Sequence, residues 1–320
     1  MHYDVFNGDA DGIIALLQLR LAQPKETTLV TGVKRDIQLL DKVSPEPGDS
    51  VTVLDISMEK NRAALESLLD GGVSVFYADH HRAGDIPEHP LLDAHINLDA
   101  NMCTALIVDQ WLDGRFHFWA ITAAFGDNLI ATAQQLATQA GLDDKQAAQL
   151  QELGTLINYN GYGAKIEDLH YHPAALFETL LAYDDPFAVI ADKHSPYWQL
   201  KAAYHADMER ALSVEACYRS PTLSVFELPD EPAARRISGV YGNALANQSP
   251  HSAHAVLTQN PDGSFLVSLR APLNNKQGAG AICSAFATGG GREGAAGINA
   301  LPANQLATFI EQVEAYYQPR

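Results

Sequence analysis

The sequence is short of cysteine, of positive charge and of long apolar runs. Its three cysteines, Cys103, Cys217 and Cys283, are odd in number, widely spaced and form no CxxC pair. That usage reads as a reduced, cytoplasmic compartment. Lys and Arg number 21 against 39 acids, a formal net charge of -18, and there is no basic run. A protein that grips many phosphates of a long nucleic acid carries a basic face. The balance therefore argues against a long duplex and for a small anionic substrate met by a few local cations or metal ions. No apolar stretch approaches membrane-spanning length, so no membrane partner is expected. The opening residues run directly into a strand-like segment with no leader pattern. There is no internal repeat, no low-complexity tract and no GxSxG elbow for Ser-His-Asp catalysis.

What is present suffices for a folded chain. Of 320 residues 47% are hydrophobic and only 19% charged, which argues against disorder, and the length favours two domains. Strand-like runs at Tyr3 to Phe6, Thr28 to Thr31, Val51 to Leu54 and Val73 to Tyr77 alternate with helical patterns at Gly12 to Leu21 and Glu59 to Leu69. That alternation predicts a doubly wound parallel sheet, whose ligands bind beyond the carboxyl ends of the strands. From Cys103 to about Leu181 the pattern is mostly helical, with Asn158 to Gly163 reading as a loop by its Asn and Gly content. The second half is a smaller α/β domain. It has strands at Leu223 to Phe226, His254 to Leu257 and Phe265 to Arg270, the last two joined at Pro261-Asp262-Gly263, and helices near Gly239 to Asn247, Gly280 to Ala287 and Ala303 to Tyr317. We divide the chain into a first domain over 1–190, a connection over 191–221 and a second domain over 222–320.

The chemistry is concentrated at strand ends. Tyr3 to Phe6 runs into Asn7-Gly8-Asp9-Ala10-Asp11-Gly12, Val51 to Leu54 ends in Asp55, and Val73 to Tyr77 ends in Asp79-His80-His81. An apolar helix ends in Gly126-Asp127-Asn128. One such acid would be a helix cap or a turn. Four clusters at one sheet edge repel one another unless cations neutralise them. Asp with His suits Mn²⁺, Mg²⁺ or another first-row ion. Two ions about 3.5–4 Å apart can activate a water and stabilise a leaving oxygen in phosphoryl transfer. A second signal is Gly289-Gly290-Gly291-Arg292-Glu293-Gly294-Ala295-Ala296-Gly297, read as a loop whose backbone approaches a ligand closely while Arg292 pairs with a phosphate. His170 with His172, and His251 with His254, read as solvated or capping residues, and Trp111 and Trp119 as core.

In order and rough spacing, Asn7 to Gly12, Asp55, Asp79-His80-His81 and Asp127 resemble the four motifs of the DHH phosphoesterases, and Gly289 to Gly297 resembles the signature of their C-terminal DHHA1 domain. The resemblance implies two divalent cations, Mn²⁺ first and Mg²⁺ as the alternative. Asp9 and Asp55 would hold one ion, and Asp11, Asp55, His80 and Asp127 the other, with Asp55 bridging. His81 would face the substrate phosphate and Asp79 would orient a histidine. Asn7 stands where many members have His or Asp and is offered as a neutral oxygen ligand. Arg292 replaces the usual histidine, and Arg270 matches the phosphate-binding arginine. The function implied is two-metal hydrolysis of short oligonucleotides or linear dinucleotides such as pGpG, as in the nanoRNase members. The alternatives are a bisphosphonucleotide or polyphosphate phosphatase, and a catalytically weak nucleotide sensor. Members often form homodimers.

Overall fold

The first strand, β1 (His2–Phe6), ends in the apolar pair Val5-Phe6, its carboxyl end turns straight into a helix, and the rest of the first unit is arranged around it. A computed structural model describes residues 1–318. The chain divides into two units, Met1–Ala202 and Ala203–Arg320. In the first, α1 (Ala10–Ala22), β2 (Thr28–Val30), β3 (Ser50–Leu54), α2 (Arg62–Asp70), β4 (Ser74–Asp79) and β5 (Leu92–Ile96) follow in order. The strands form one all-parallel sheet of order β2-β1-β3-β4-β5. The order reverses at β1, so the crevice beyond the carboxyl ends of β1 and β3 is the expected ligand position.

The two faces of this sheet are covered differently. Val5, Val51, Val53, Val75 and Tyr77 share a buried cluster with Leu65, Leu68 and Leu69 of α2. Helix α1 is buried on nearly every side, from Ala10 to Arg20, as its largely apolar composition requires, and its polar Asp11, Gln18 and Arg20 make buried hydrogen bonds. It packs against helices that follow the sheet: α3 (Thr104–Trp111), α4 (His117–Gly126), α6 (Asp144–Gly161) and α7 (Pro173–Leu180). The shorter α5 (Ile130–Gln139) and α8 (Pro186–Ala191) complete this layer, and α9 (Pro196–Leu212) carries the chain across the unit boundary.

The second unit holds β6 (Tyr218–Arg219), β7 (Leu223–Leu228), α10 (Pro232–Gln248), β8 (Ala253–Gln259), β9 (Phe265–Arg270), α11 (Ala279–Ser284), β10 (Gly289–Gly291), β11 (Ala295–Leu301) and α12 (Leu306–Tyr317). They form a mixed six-stranded sheet, β10-β11-β9-β8-β7-β6, in which only β7 and β8 run parallel. Its core joins Leu223, Val225, Leu257, Val267 and Leu269 to Ile282, Phe309 and Val313. The Pro261-Asp262-Gly263 turn closes the β8–β9 hairpin, with Gly263 at φ 81. A parallel α/β unit followed by a smaller α/β unit is the predicted fold class.

Several local readings are corrected. Asn158, Tyr159, Asn160 and Gly161 are the last turn of α6, not a loop. Asn160 is fully buried and bonds across to His170, Tyr171 and the Tyr171 carbonyl, so tertiary bonds replace the loop its composition suggests. The three glycines are an edge strand paired with β11 rather than an open loop. Gly289 is required there because a Cβ would lie 1.7 Å from the Cys283 carbonyl oxygen. Trp119 is core, but Trp111 is 41% exposed and stacks edge-on against Phe76. Strand β5 lies outside the predicted elements; its polar Asp93 and His95 break the apolar pattern of a sheet-edge strand.

Candidate metal centre

Because every strand of the first sheet runs the same way, the residues that follow β1, β3 and β4 lie at one edge. The ladder continues past the strand ends: the Asn7 amide donates to the Leu54 carbonyl at 3.2 Å and the Asp55 amide to the Ala78 carbonyl at 3.1 Å. Asp55 sits at φ 59, in the left-handed region that non-glycine residues seldom adopt. Backbone strain of this kind recurs at functional sites.

One atom each from Asp55, His80 and His81 lies within 4.8 Å of the others, a spacing suited to one ion. His80 Nε2 is 3.3 Å from Asp55 Oδ1 and 3.6 Å from Asp11 Oδ2. The other His80 nitrogen, Nδ1, lies 2.8 Å from the Met102 carbonyl. Donation there fixes the tautomer that leaves Nε2 unprotonated for a ligand. His81 Nδ1 is 2.7 Å from Asp79 Oδ1, so the histidine that Asp79 orients is His81. The second Asp79 oxygen is buried with no hydrogen-bond partner.

Helix termini hold the remaining acids. Asp9 is the N-cap of α1, its Oδ1 accepting the amides of Asp11 and Gly12 at 3.0 and 3.1 Å. Asp11 in turn caps α3, its two oxygens accepting the Thr104 and Ala105 amides at 2.8 and 2.7 Å. The Thr104 hydroxyl donates to Asp55 Oδ1 at 3.2 Å. Asp127 is buried at the carboxyl end of α4. Gly161 closes the floor: a Cβ there would stand 2.9 Å from the Gly8 carbonyl oxygen and 3.0 Å from Asp9 Cα.

The charges do not balance. Burial, then the neighbouring Asp11, Asp9, Asp79 and Asp127, push the Asp55 carboxyl well above the usual range. Burial also raises Asp11, and its attraction to His80 does not offset this. Burial drives Asp9 up as well, but the Lys34 ammonium beside it holds it below the usual range. Burial beside Asp11 and Asp127 raises the Cys103 thiol, which stays protonated. A buried carboxylate set with an imidazole and an orphaned Asp79 oxygen fits a divalent cation of the Mn²⁺ or Mg²⁺ kind.

Asp9, Asp11, Asp55, His80 and Asp127 are thus brought into one buried cluster, with His81 and Asp79 beside it. Asn7 is placed differently. Its carboxamide nitrogen donates to the Lys34 carbonyl at 3.2 Å and its oxygen accepts the Asp9 amide at 3.2 Å. The sequence reading missed Lys34, Thr104 and Asn158. Lys34 follows β2, whose carboxyl end shares the edge, and the same strand-end logic would have found it.

In the second unit Arg270 is buried rather than exposed at a strand end. Its guanidinium donates to Asn243 Oδ1 at 2.6 Å, Ser268 Oγ at 3.0 Å and the Gly239 carbonyl at 3.1 Å. Arg292 directly follows β10. Of the weaker histidines, His172 caps α7, and His254 is buried with Nε2 toward the Ser249 carbonyl.

No protein-family model and no curated protein matches this sequence. Solved structures do. RecJ from Thermus thermophilus, in complex with Mn²⁺, is similar over 99% of this chain and 52% of that one, at 18% identity and a TM-score of 0.64. This chain therefore spans about half the length of that protein. The pGpG-specific phosphodiesterase PggH from Vibrio cholerae is similar over 99% of each chain, at 13% identity and a TM-score of 0.53. An exopolyphosphatase-related protein from Bacteroides fragilis is similar over 99% of this chain and 92% of that one, also at 13% and 0.53. At these identities the likeness establishes the fold, which is that of the DHH phosphoesterases.

Proposed function

We propose that this chain is a metal-dependent phosphoesterase of the DHH/DHHA1 kind that hydrolyses short oligonucleotides or linear dinucleotides such as pGpG to mononucleotides. The observation that carries the reading is the cluster of Asp11, Asp55, His80 and His81 at the edge where the strand order reverses. Its acids are too close and too buried to be left uncompensated.

When bound, a divalent cation supplies Lewis-acid stabilisation of phosphoryl oxygens and lowers the pKa of water. Asp11, Asp55, His80 and Asp127 are the residues proposed to hold it. The Met102 carbonyl presents His80 in the ligating tautomer. His81, with a 34% exposed side chain, is the member of the cluster open to substrate. With Nδ1 donating to Asp79, only the doubly protonated His81 ring can also donate from Nε2 to a phosphoryl oxygen as charge develops there. In the second unit, Arg292 and the edge strand Gly289–Gly291 are proposed as the phosphate-gripping elements. Arg270 is proposed to reach substrate only by exchanging its bonds to α10.

A small substrate is supported by the chain's net charge of -18 and by likeness to a pGpG-specific enzyme along the full length of both chains. Likeness to the exopolyphosphatase-related protein keeps polyphosphate as the second candidate. The test is hydrolysis of pGpG, other dinucleotides, a five-base RNA, cyclic dinucleotides, 3′-phosphoadenosine 5′-phosphate and polyphosphate, with Mn²⁺ and with EDTA. Mn²⁺-dependent release of mononucleotides from dinucleotides, lost in Asp55→Ala, is expected. Phosphate release from polyphosphate alone would move the assignment to the second candidate. Bound metal without turnover on any substrate would replace the enzyme with a nucleotide sensor.

A further inference from the structure

Asp9 has both carboxylate oxygens bonded within the protein, one of them by a cation. Its Oδ1 takes the two amides of α1, and its Oδ2 takes the Lys34 ammonium. Asn7, the other ligand expected on that side, directs its oxygen to the Asp9 amide and its nitrogen to the Lys34 carbonyl. Lys34 is itself a built part of the site. Its amide donates to the Gly161 carbonyl at 2.8 Å. Its ammonium lies 3.3 Å from Asn158 Oδ1 and 5.4 Å from the centre of the Tyr162 ring. The lysine side chain is 23% exposed and that of Asp9 only 4%. A lysine reaching in from solvent to neutralise a surface acid would show none of this anchoring. Among the described residues no Lys or Arg is bonded to Asp11 or Asp55, which keep their open side toward His80.

We infer that the site binds one divalent ion per chain, at Asp11, Asp55, His80 and Asp127, and that the Lys34 ammonium stands at Asp9 where the family resemblance implies a second ion. The inference rests on the metal-dependent reading proposed above. It makes the charge at Asp9 permanent, independent of metal supply, and leaves a single exchangeable cation. A lysine ammonium is a compact point charge with three donors, so it can hold Asp9 and Asn158 together as the observed contacts require.

The test counts ions rather than turnover. The purified full chain is dialysed against Mn²⁺, the bound metal is measured by mass spectrometry, and the electron paramagnetic resonance spectrum is recorded. The unmodified protein is expected to hold one Mn²⁺ with the six-line spectrum of an isolated ion. Lys34→Met, which keeps the stem and removes the charge, is expected to take up about one more ion, with the broadened spectrum of a coupled pair. Two ions with a coupled spectrum in the unmodified protein overturn the inference whatever the variant does. A folded Lys34→Met protein that still holds one ion overturns the role given to Lys34. No bound ion in either protein removes the metal-dependent reading itself, and this inference with it.

Discussion

Replacing Asp55 with Asn should change stability in opposite directions with and without metal. Asn is among the residues that best tolerate the φ of 59 found at this position, so the backbone is kept. The amide can still accept the Thr104 hydroxyl. What disappears is a buried charge crowded by Asp11, Asp9, Asp79 and Asp127. At an effective dielectric near 20, one like-charged neighbour at contact distance costs about 2–4 kcal/mol. Where His80 is protonated, losing its attraction at 3.3 Å offsets part of that relief. We expect metal-free Asp55→Asn to gain about 1–2 kcal/mol at neutral pH, a rise in Tm of about 2–8 °C for a unit this size. The pH dependence has a defined sign. A carboxyl raised by folding binds more protons folded than unfolded, so metal-free stability falls as pH rises above the ordinary value of 3.8 through the raised folded pKa. The variant should lose most of that slope. Mn²⁺ at about 100 times its Kd stabilises the unmodified protein by about 2.7 kcal/mol, or about 5–10 °C, and should leave the variant nearly unmoved. Differential scanning fluorimetry with EDTA and with Mn²⁺ reads both effects. A lower metal-free Tm for Asp55→Asn, or an unchanged Mn²⁺ shift, refutes the reasoning.

Three further outcomes are expected. Asp79→Asn removes the carboxylate that holds His81 at 2.7 Å; activity should fall about 10–100-fold while the Mn²⁺ count by mass spectrometry stays the same, because the role proposed for Asp79 is to orient His81 rather than to ligate. Gly161→Ala drives a methyl into the Gly8 carbonyl and the Asp9 backbone, costing about 1–3 kcal/mol in urea unfolding and weakening Mn²⁺ affinity, measured by titration calorimetry, as the floor shifts. Arg20→Leu strands Asp4, which burial pushes up but which bonds from Arg20 and His2 hold below the usual range. It should cost about 3–5 kcal/mol in urea unfolding at pH 7. That gap should narrow as pH falls through the depressed Asp4 pKa, because a depressed carboxyl gives its stability only above that point.

Much of the fold was legible because its signals are local. Alternation of apolar strands with amphipathic runs needs no tertiary knowledge, and a parallel sheet then places every strand end at one edge. The clusters after β1, β3 and β4 could therefore be read as neighbours from sequence alone. Composition failed where distant partners decide conformation. Asn158 to Gly161 has the residues of a loop but finishes a helix, because Asn160 satisfies its buried amide on the 170–171 segment. The glycines of β10 suggested an open phosphate loop, yet one of them is dictated by the close approach of the Cys283 carbonyl. The burial of Arg270 was not legible for the same reason, since Asn243 and Gly239, which hold it, lie on α10 rather than beside it in sequence.

Lys34 shows the same limit at the site itself, and it alters what the composition means. Counting 21 basic residues against 39 acids suggests a surface question about partners. Two of those bases instead neutralise internal acids on the same strand-and-helix unit. Arg20 is buried against Asp4 within β1, and Lys34 is bound to Asp9 just beyond its carboxyl end. Asp4 and Asp9 are the two carboxyls of this region whose pKa values are lowered rather than raised. Asp11 and Asp55 lie beside the same strand, have no such base, and are raised. The contrast separates acids that the chain neutralises with its own side chains from acids that it leaves for a cation from outside. On that division the acidity of the strand edge is not a general solubility charge. It is a selective deficit, confined to the residues around His80, and on the inference above a divalent ion from outside is what fills it.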